Sequence, residues 1–216
     1  MLLPEMIGRF RANARDRTLP YLWCDDIIRA RLLEGQREVA IRQRLIRDSD
    51  CSICTIPLSV DQRKAYLHQS IINIEYADLW TDDVFDSNLQ IIDRGTLSRL
   101  DSEWRKLTGK PEYIVNDDNS IIVSPLPNVA CEIRLSVVRY PLGPDTAEME
   151  VSSEHHEAIV DYALAISYDD PDSDAYDARR AEKYIRSFER KYGPPVAGGA
   201  RRRSVASAPH RNTVQL

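Results

Sequence analysis

The hydrophobic period of this chain changes twice, and that limits the fold more than any single motif does. Ile28, Leu32, Val39 and Ile46 recur on one face at helical spacing. Beyond Cys54 the pattern shifts to a period of two. Cys54, Ile56, Leu58 and Val60 alternate with Thr55, Pro57 and Ser59, and Ile72, Ile74 and Tyr76 alternate with Asn73, Glu75 and Ala77. The clearest strand is Cys131 to Tyr140, with Cys131, Ile133, Leu135 and Val137 facing one way. From Ile159 onward the helical period returns, ending on Ala181, Tyr184, Ile185, Phe188 and Tyr192. A period of two buries one face of a sheet, and a period near 3.6 buries one stripe of a helix. The chain must therefore build both.

The class implied is α+β. It is a helical body, made of a long N-terminal helix and two C-terminal helices, with an inserted antiparallel strand-rich block and a flexible C-terminal arm. The expected helices span 3–14, 25–47, 153–168 and 174–192, and the strand-rich block about 52–141. A single domain then covers 1–195, with an extended arm over 196–216. Asp25 and Asp26 place negative charge at a helix start. Gly35 lies on the buried face of that helix, where a missing side chain permits close helix approach, and Glu38 with Arg42 forms an i,i+4 pair on the adjoining surface. A short helix is expected around 96–107, followed by a turn at Thr108 to Pro111. Ser152 or Ser153 can cap the first C-terminal helix, and Asp174 the second. Gly193-Pro194-Pro195 stops the last helix.

Charge separates the arm from the body. The chain has 29 Lys and Arg against 34 Asp and Glu. Residues 193–216 hold four of those arginines and no acid, so the rest carries a balance of −9 and the tail +4. Such a tail has too few apolar residues to fold alone and gains order only on another surface. Arg201, Arg202, Arg203 and Arg211, with Val214 and Leu216 at the end, are its candidate binding residues. Carboxylates on a protein are a better match for the arginine triplet than nucleic acid, because the tail has no aromatic residue for base stacking.

The candidate chemical motifs do not support catalysis. Cys51-Ser-Ile-Cys54 has no second pair to complete four zinc ligands, and the segment after it reads as a strand, not the helix of a redox motif. Glu154-His155-His156-Glu157 has neither HxxxH nor HExxH spacing and reads as a solvated acidic first turn. Asp169, Asp170, Asp172 and Asp174 lack the glycine and terminal Glu of a calcium loop. No phosphate loop, dinucleotide fingerprint or nucleophile elbow occurs. The expectation is a protein that is not an enzyme and carries no metal or cofactor. No apolar run approaches the roughly 18 residues of a membrane span, the start has no secretory pattern, and the four scattered cysteines are expected to be reduced.

Order and spacing then point to a family. FRANARDRTLPYLWCDDIIRARLLEGQREVAIRQRLIRDSD and CTIPLSVDQRKAYLHQSIINIEYADL resemble the head-to-tail adaptor, or connector, proteins of tailed bacteriophages. GKPEYIVNDDNSIIVSPLPN, VVRYPL and HHEAIVDYALAISYDDPDSDAYDARRAEKYIRSFERKYGPP extend the resemblance over nearly all of 7–195. Where a serine cap is expected after the tryptophan, this chain has Cys24. The resemblance implies a virion protein of the neck, assembled in the host cytoplasm. It implies a ring below the portal, usually dodecameric, that extends the DNA channel. Its partners would be the portal, neighbouring copies and tail or nozzle proteins, with DNA passing unbound and no membrane involved. The C-terminal segment would reach the portal. A tail-completion or stopper protein of the neck is the nearest alternative, and a nucleic-acid-binding accessory protein a more distant one.

Overall fold

A computed structural model describes residues 2–117, 119–143 and 148–195. In chain order the elements begin with helices α1 (Leu3–Ala14) and α2 (Asp25–Gln43) and strands β1 (Arg47–Asp48), β2 (Thr55–Leu58) and β3 (Lys64–Tyr66). There follow β4 (Ile71–Thr81), β5 (Val84–Asn88), β6 (Gln90–Ile92), α3 (Arg94–Leu100) and β7 (Thr108–Gly109). The last are β8 (Tyr113–Asp117), β9 (Ser120–Ser124), β10 (Leu126–Pro127), β11 (Cys131–Arg139), α4 (His156–Tyr168) and α5 (Ala178–Tyr192). The fold is α+β. It divides into a helical unit, built from the chain up to Ile46 and again from Tyr140, and a strand-rich unit over Arg47–Arg139.

In the helical unit α4 is the hub. It is buried on nearly every side, through Ala158, Ile159, Val160, Ala163, Leu164, Ala165 and Tyr168. A helix apolar all round belongs inside others, and α1, α2 and α5 each pack against it. α1 contributes Leu3, Met6, Phe10 and Ala14, and α5 contributes Ala181 and Phe188. Aromatic edges lock the core: Trp23 meets Phe10 at 5.5 Å and Tyr168 at 5.3 Å, both nearly perpendicular. Arg11, buried beside them, pairs with Asp16 at 3.0 Å and Asp25 at 2.5 Å and donates to the Trp23 carbonyl at 3.0 Å. The link between α1 and α2 is thus held by a charge network with its hydrogen bonds made.

Gly35 makes the close approach expected of it. A Cβ there would lie 2.9 Å from the Ile159 carbonyl oxygen and 3.2 Å from Ile159 Cγ2. Cys24 occupies the cap position of α2 without a side-chain cap hydrogen bond, and Asp25 and Asp26 still open the helix. Arg42 pairs with Glu38 at 3.0 Å, but its side chain is buried and lies over the Phe188 ring. It is a core cation and not a surface one.

In the helical unit three helix boundaries differ from expectation. α2 stops at Gln43, not 47, because Arg44 turns left-handed (φ 52°) and the Arg44 and Leu45 N–H groups return to the last carbonyls. Arg47 and Asp48 then pair with Val138 and Val137 as a strand. α4 is preceded by a 3-10 turn over Ser153–His155, and the Ser152 hydroxyl donates to Glu154 instead of capping. α5 starts at Ala178, not 174, because Asp177 accepts from the Arg179 and Arg180 N–H groups at 3.1 Å each.

In the strand-rich unit β11 is the organiser. It pairs antiparallel with β1, β2 and β4, and β4 continues into β5. Cys131, Ile133, Leu135 and Val137 face the core, as the alternation predicts. Along β4 the expected face fails at Tyr76, which is exposed while Ile74 and Ala77 are buried. The register shifts between the pairs Tyr76–Ser136 and Ile74–Val137, so a bulge moves the inward face by one residue. Val60 is exposed because β2 has ended at Leu58.

The second sheet runs β3-β9-β8-β6, and its last pair is parallel, as is the short pairing of β7 with β10. The purely antiparallel expectation is corrected here. The connection from β6 to β8 contains α3, and a helix-bearing crossover permits parallel pairing. That helix ends at Leu100, short of 107, and is capped by Asp93, which accepts from Thr96 N–H at 2.9 Å. Thr108 and Gly109, expected as a turn, are strand β7.

Candidate functional sites

The cysteine pair lies in a turn closed by Asp48. The Asp48 carboxylate accepts from the Asp50 and Cys51 N–H groups (3.1 and 3.2 Å) and from Arg139 Nε at 2.8 Å. Burial works to raise its pKa, but Arg139 and those N–H donors prevail and hold it down at about 2. Cys51 and Cys54 place their sulfurs 3.2 Å apart across a 3-10 turn (Ser52–Cys54). Burial, followed by the bond to Cys51, pushes the Cys54 thiol up to about 12. Asp48, Cys51 and Cys54 are the one three-member group of ligand types gathered within 4.8 Å among the described residues. The donor set does not fit a metal. The carboxylate is committed to Arg139 and two N–H groups, and the group offers three donors among the described residues where a structural zinc takes four. Asp48 and Arg139 were missed in the sequence because they lie far apart in the chain; the Asp three residues before Cys51 was the available signal.

The histidine pair separates. His155 Nδ1 meets the Tyr192 hydroxyl at 2.8 Å, and His156 Nε2 donates to the Val151 carbonyl at 3.1 Å. His156 is 3% exposed, and burial lowers its pKa, so it is a neutral core residue and not part of a solvated turn. In the aspartate loop, Asp170 accepts from the Asp172 N–H at 3.3 Å and pairs with Arg31 at 3.4 Å. Its carboxylates do not converge on a cation site.

Among the described residues, the strand-rich unit includes an apolar and a basic cavity. One, of about 340 Å³, is apolar and lined by Leu79, Val84, Phe85 and Val129, with Asp86 and Lys110 at its side. The hairpin β4–β5 forms it; Asp82 and Asp83 turn left-handed and deliver Val84 and Phe85 to solvent. Arg134 steadies that tip, lying 4.0 Å over the Trp80 ring and 2.6 Å from Asp83.

The second cavity, also about 340 Å³, is basic. Arg63, Lys64, Arg94 and Arg105 surround Trp104 and Ile122. Arg63 donates to the carbonyls of Trp104, Arg105 and Val123 at 2.9–3.4 Å and so ties the segment after α3 to β9. Burial and then the neighbouring Arg105 lower its pKa. Arg105 lies 4.7 Å from the Trp104 ring. This cluster escaped the sequence reading because its members come from β3, α3 and the segment after α3, with no local run to flag them.

The residues singled out for portal binding, Arg201, Arg202, Arg203, Arg211, Val214 and Leu216, lie outside the described residues. No described helix is long and apolar enough to cross a membrane.

A family model described as SU10 adaptor protein matches residues 1–213. No curated protein matches the chain. The match spans nearly the whole sequence, and the chain belongs to this phage adaptor family.

Proposed function

We propose that this member of the SU10 adaptor family forms a ring below the portal that joins the phage head to the tail and continues the DNA channel. The family match over residues 1–213 carries the reading. The order of helices, strand block and basic tail supports it. A ring joint is heterologous, so each copy presents two different faces to its neighbours. The acidic balance of the body suits a DNA conduit, because like charge keeps the phosphate backbone from being gripped. The C-terminal arm, through Arg201, Arg202, Arg203, Arg211, Val214 and Leu216, is the portal contact in this reading, and twelve weak arms add up to a stable joint. The protein performs no catalysis and needs no cofactor.

The test is imaging of the purified full chain mixed with its portal. The expected result is a ring of the portal's symmetry on its tail-facing side, lost when residues 198–216 are removed. A ring that forms only on tail components would instead make the chain a stopper or tail-completion protein. Tight, salt-dependent binding of duplex DNA by the free chain would favour the nucleic-acid reading.

A further inference from the structure

The basic cavity gathers cations that the fold does not neutralise. Arg63 is occupied by three backbone carbonyls, and Arg94 pairs with Asp117 at 2.9 Å. Lys64 and Arg105 are exposed, and neither makes an ion pair among the described residues. In a body whose acids outnumber its bases, this is a local excess of positive charge facing a cavity that admits a small anionic group. It is not built for nucleic acid. Trp104 is 3% exposed and offers no face for stacking a base. One carboxylate side chain, presented on a loop, suits the space.

The chain itself carries the matching group. The loop Asp169–Asp174 holds four carboxylates in six residues. Asp170 is used internally, in its pair with Arg31 and its bond to the Asp172 N–H. Asp169, Asp172 and Asp174 are exposed and make no ion pair among the described residues. The basic cavity lies in the strand-rich unit and the loop in the helical unit, so a contact between them joins two different patches of the chain. Copies that are acidic overall repel one another, and they pack side by side only where charge is locally complementary.

We propose that the cavity around Trp104 receives the Asp169–Asp174 loop of a second copy of this chain. Asp172 or Asp174 meets Lys64 and Arg105 there, and the contact is head to tail. The proposal rests on the ring reading for its biological setting, where it supplies the joint between neighbours.

The test mixes equal amounts of unlabelled and nitrogen-15-labelled full-length chain at low salt and treats them with a carbodiimide, which joins an amine to an adjacent carboxylate. Mass spectrometry should find Lys64 linked to Asp172 or Asp174 in mixed-isotope pairs, declining as salt is added. Two exposed charge-reversed variants complete it: Lys64→Glu with Arg105→Glu, and Asp172→Arg with Asp174→Arg. Each alone should weaken self-association by about tenfold or more in sedimentation. Mixed together they should regain it, because each reversed face then meets its complement. Links found only within one isotope, or variants that associate like the parent, overturn the proposal. So does duplex DNA binding that the cavity variant alone abolishes. A parent chain that shows the mixed link but never joins a portal would sink the portal reading and leave this contact standing.

Discussion

The helical and strand-rich units bury their apolar residues by different means, one around a central helix and the other around a central strand. The helical unit closes around one helix, with Phe10, Trp23 and Tyr168 meeting edge to face and Phe188 stacked on Tyr192. Even its buried cations, Arg11 and Arg42, are engaged. The strand-rich unit is built from one continuous stretch of chain around β11 and fills its core with Ile, Leu and Val. The two cavities described above, the exposed Val84 and Phe85, and the cationic group around Trp104 belong to it. Sheet elements leave faces and edges that a wrapped helix does not.

The largest effects should come from the core of the helical unit. Phe10→Ala removes a fully buried ring and its contact with Trp23, at a cost of about 3–5 kcal/mol. Ile133→Ala, equally buried in β11, should cost about 2–5 kcal/mol and fall below Phe10→Ala, because an aliphatic site loses no ring contact. Hydrogen exchange read at α4 for the first and at β4 for the second measures both. If Ile133→Ala proves the costlier, the contrast between an interlocked core and a simpler one is wrong.

Gly35 sharpens the same contrast through packing. A Cβ would strike the Ile159 carbonyl, which is backbone and cannot swing aside. Gly35→Ala should therefore lose about 2–3 kcal/mol, outweighing the roughly 1 kcal/mol that alanine gains over glycine in a helix. Chemical denaturation checks this, and a stabilised variant would mean the α2–α4 contact is looser than described.

The strand-rich unit should show its own signature in acid. Asp48 has a folded pKa of about 2, below its ordinary value of 3.8. A depressed carboxylate stabilises the fold above its unfolded pKa, and that contribution is lost as pH falls from about 4 through 2. The expected loss is about 1–2 kcal/mol. Asp48→Asn should be less stable than the parent at pH 6, with the gap closing toward pH 2. A gap that stays constant with pH would show that Arg139 does not hold the charge.

Much of the framework was legible in the sequence, for reasons that differ by unit. The stripe on α5 and the alternation of β11 are each set by residues close in the chain, so periodicity reveals them. Gly35 was readable because it interrupts an apolar face. The bulge in β4 was not, since its cause lies in pairing with Ser136 and Val137, sixty residues downstream. The parallel pairing of β6 with β8 and the cationic cavity were hidden for the same reason: each depends on which distant segments the topology brings together.

The smallest expected effect concerns where α5 begins. The chain offers Asp174 and Asp177 as caps, and the first apolar residue of the stripe, Ala181, does not choose between them. The fold chooses Asp177, whose carboxylate accepts from two N–H groups of the first turn. Asp177→Ala leaves those donors to solvent and should cost about 1 kcal/mol. It should act on the last helix alone, so exchange should rise at the start of α5 while β11 stays protected. Asp174→Ala makes no cap and should leave stability unchanged within about 0.5 kcal/mol. Its carboxylate is exposed, and where it is the loop residue that meets the neighbouring copy proposed above, the same substitution should register in self-association instead. Two aspartates three residues apart then divide the labour, one holding the fold and the other exposed. If Asp174→Ala destabilises the chain as much as Asp177→Ala does, the loop is part of the helix cap and that division fails.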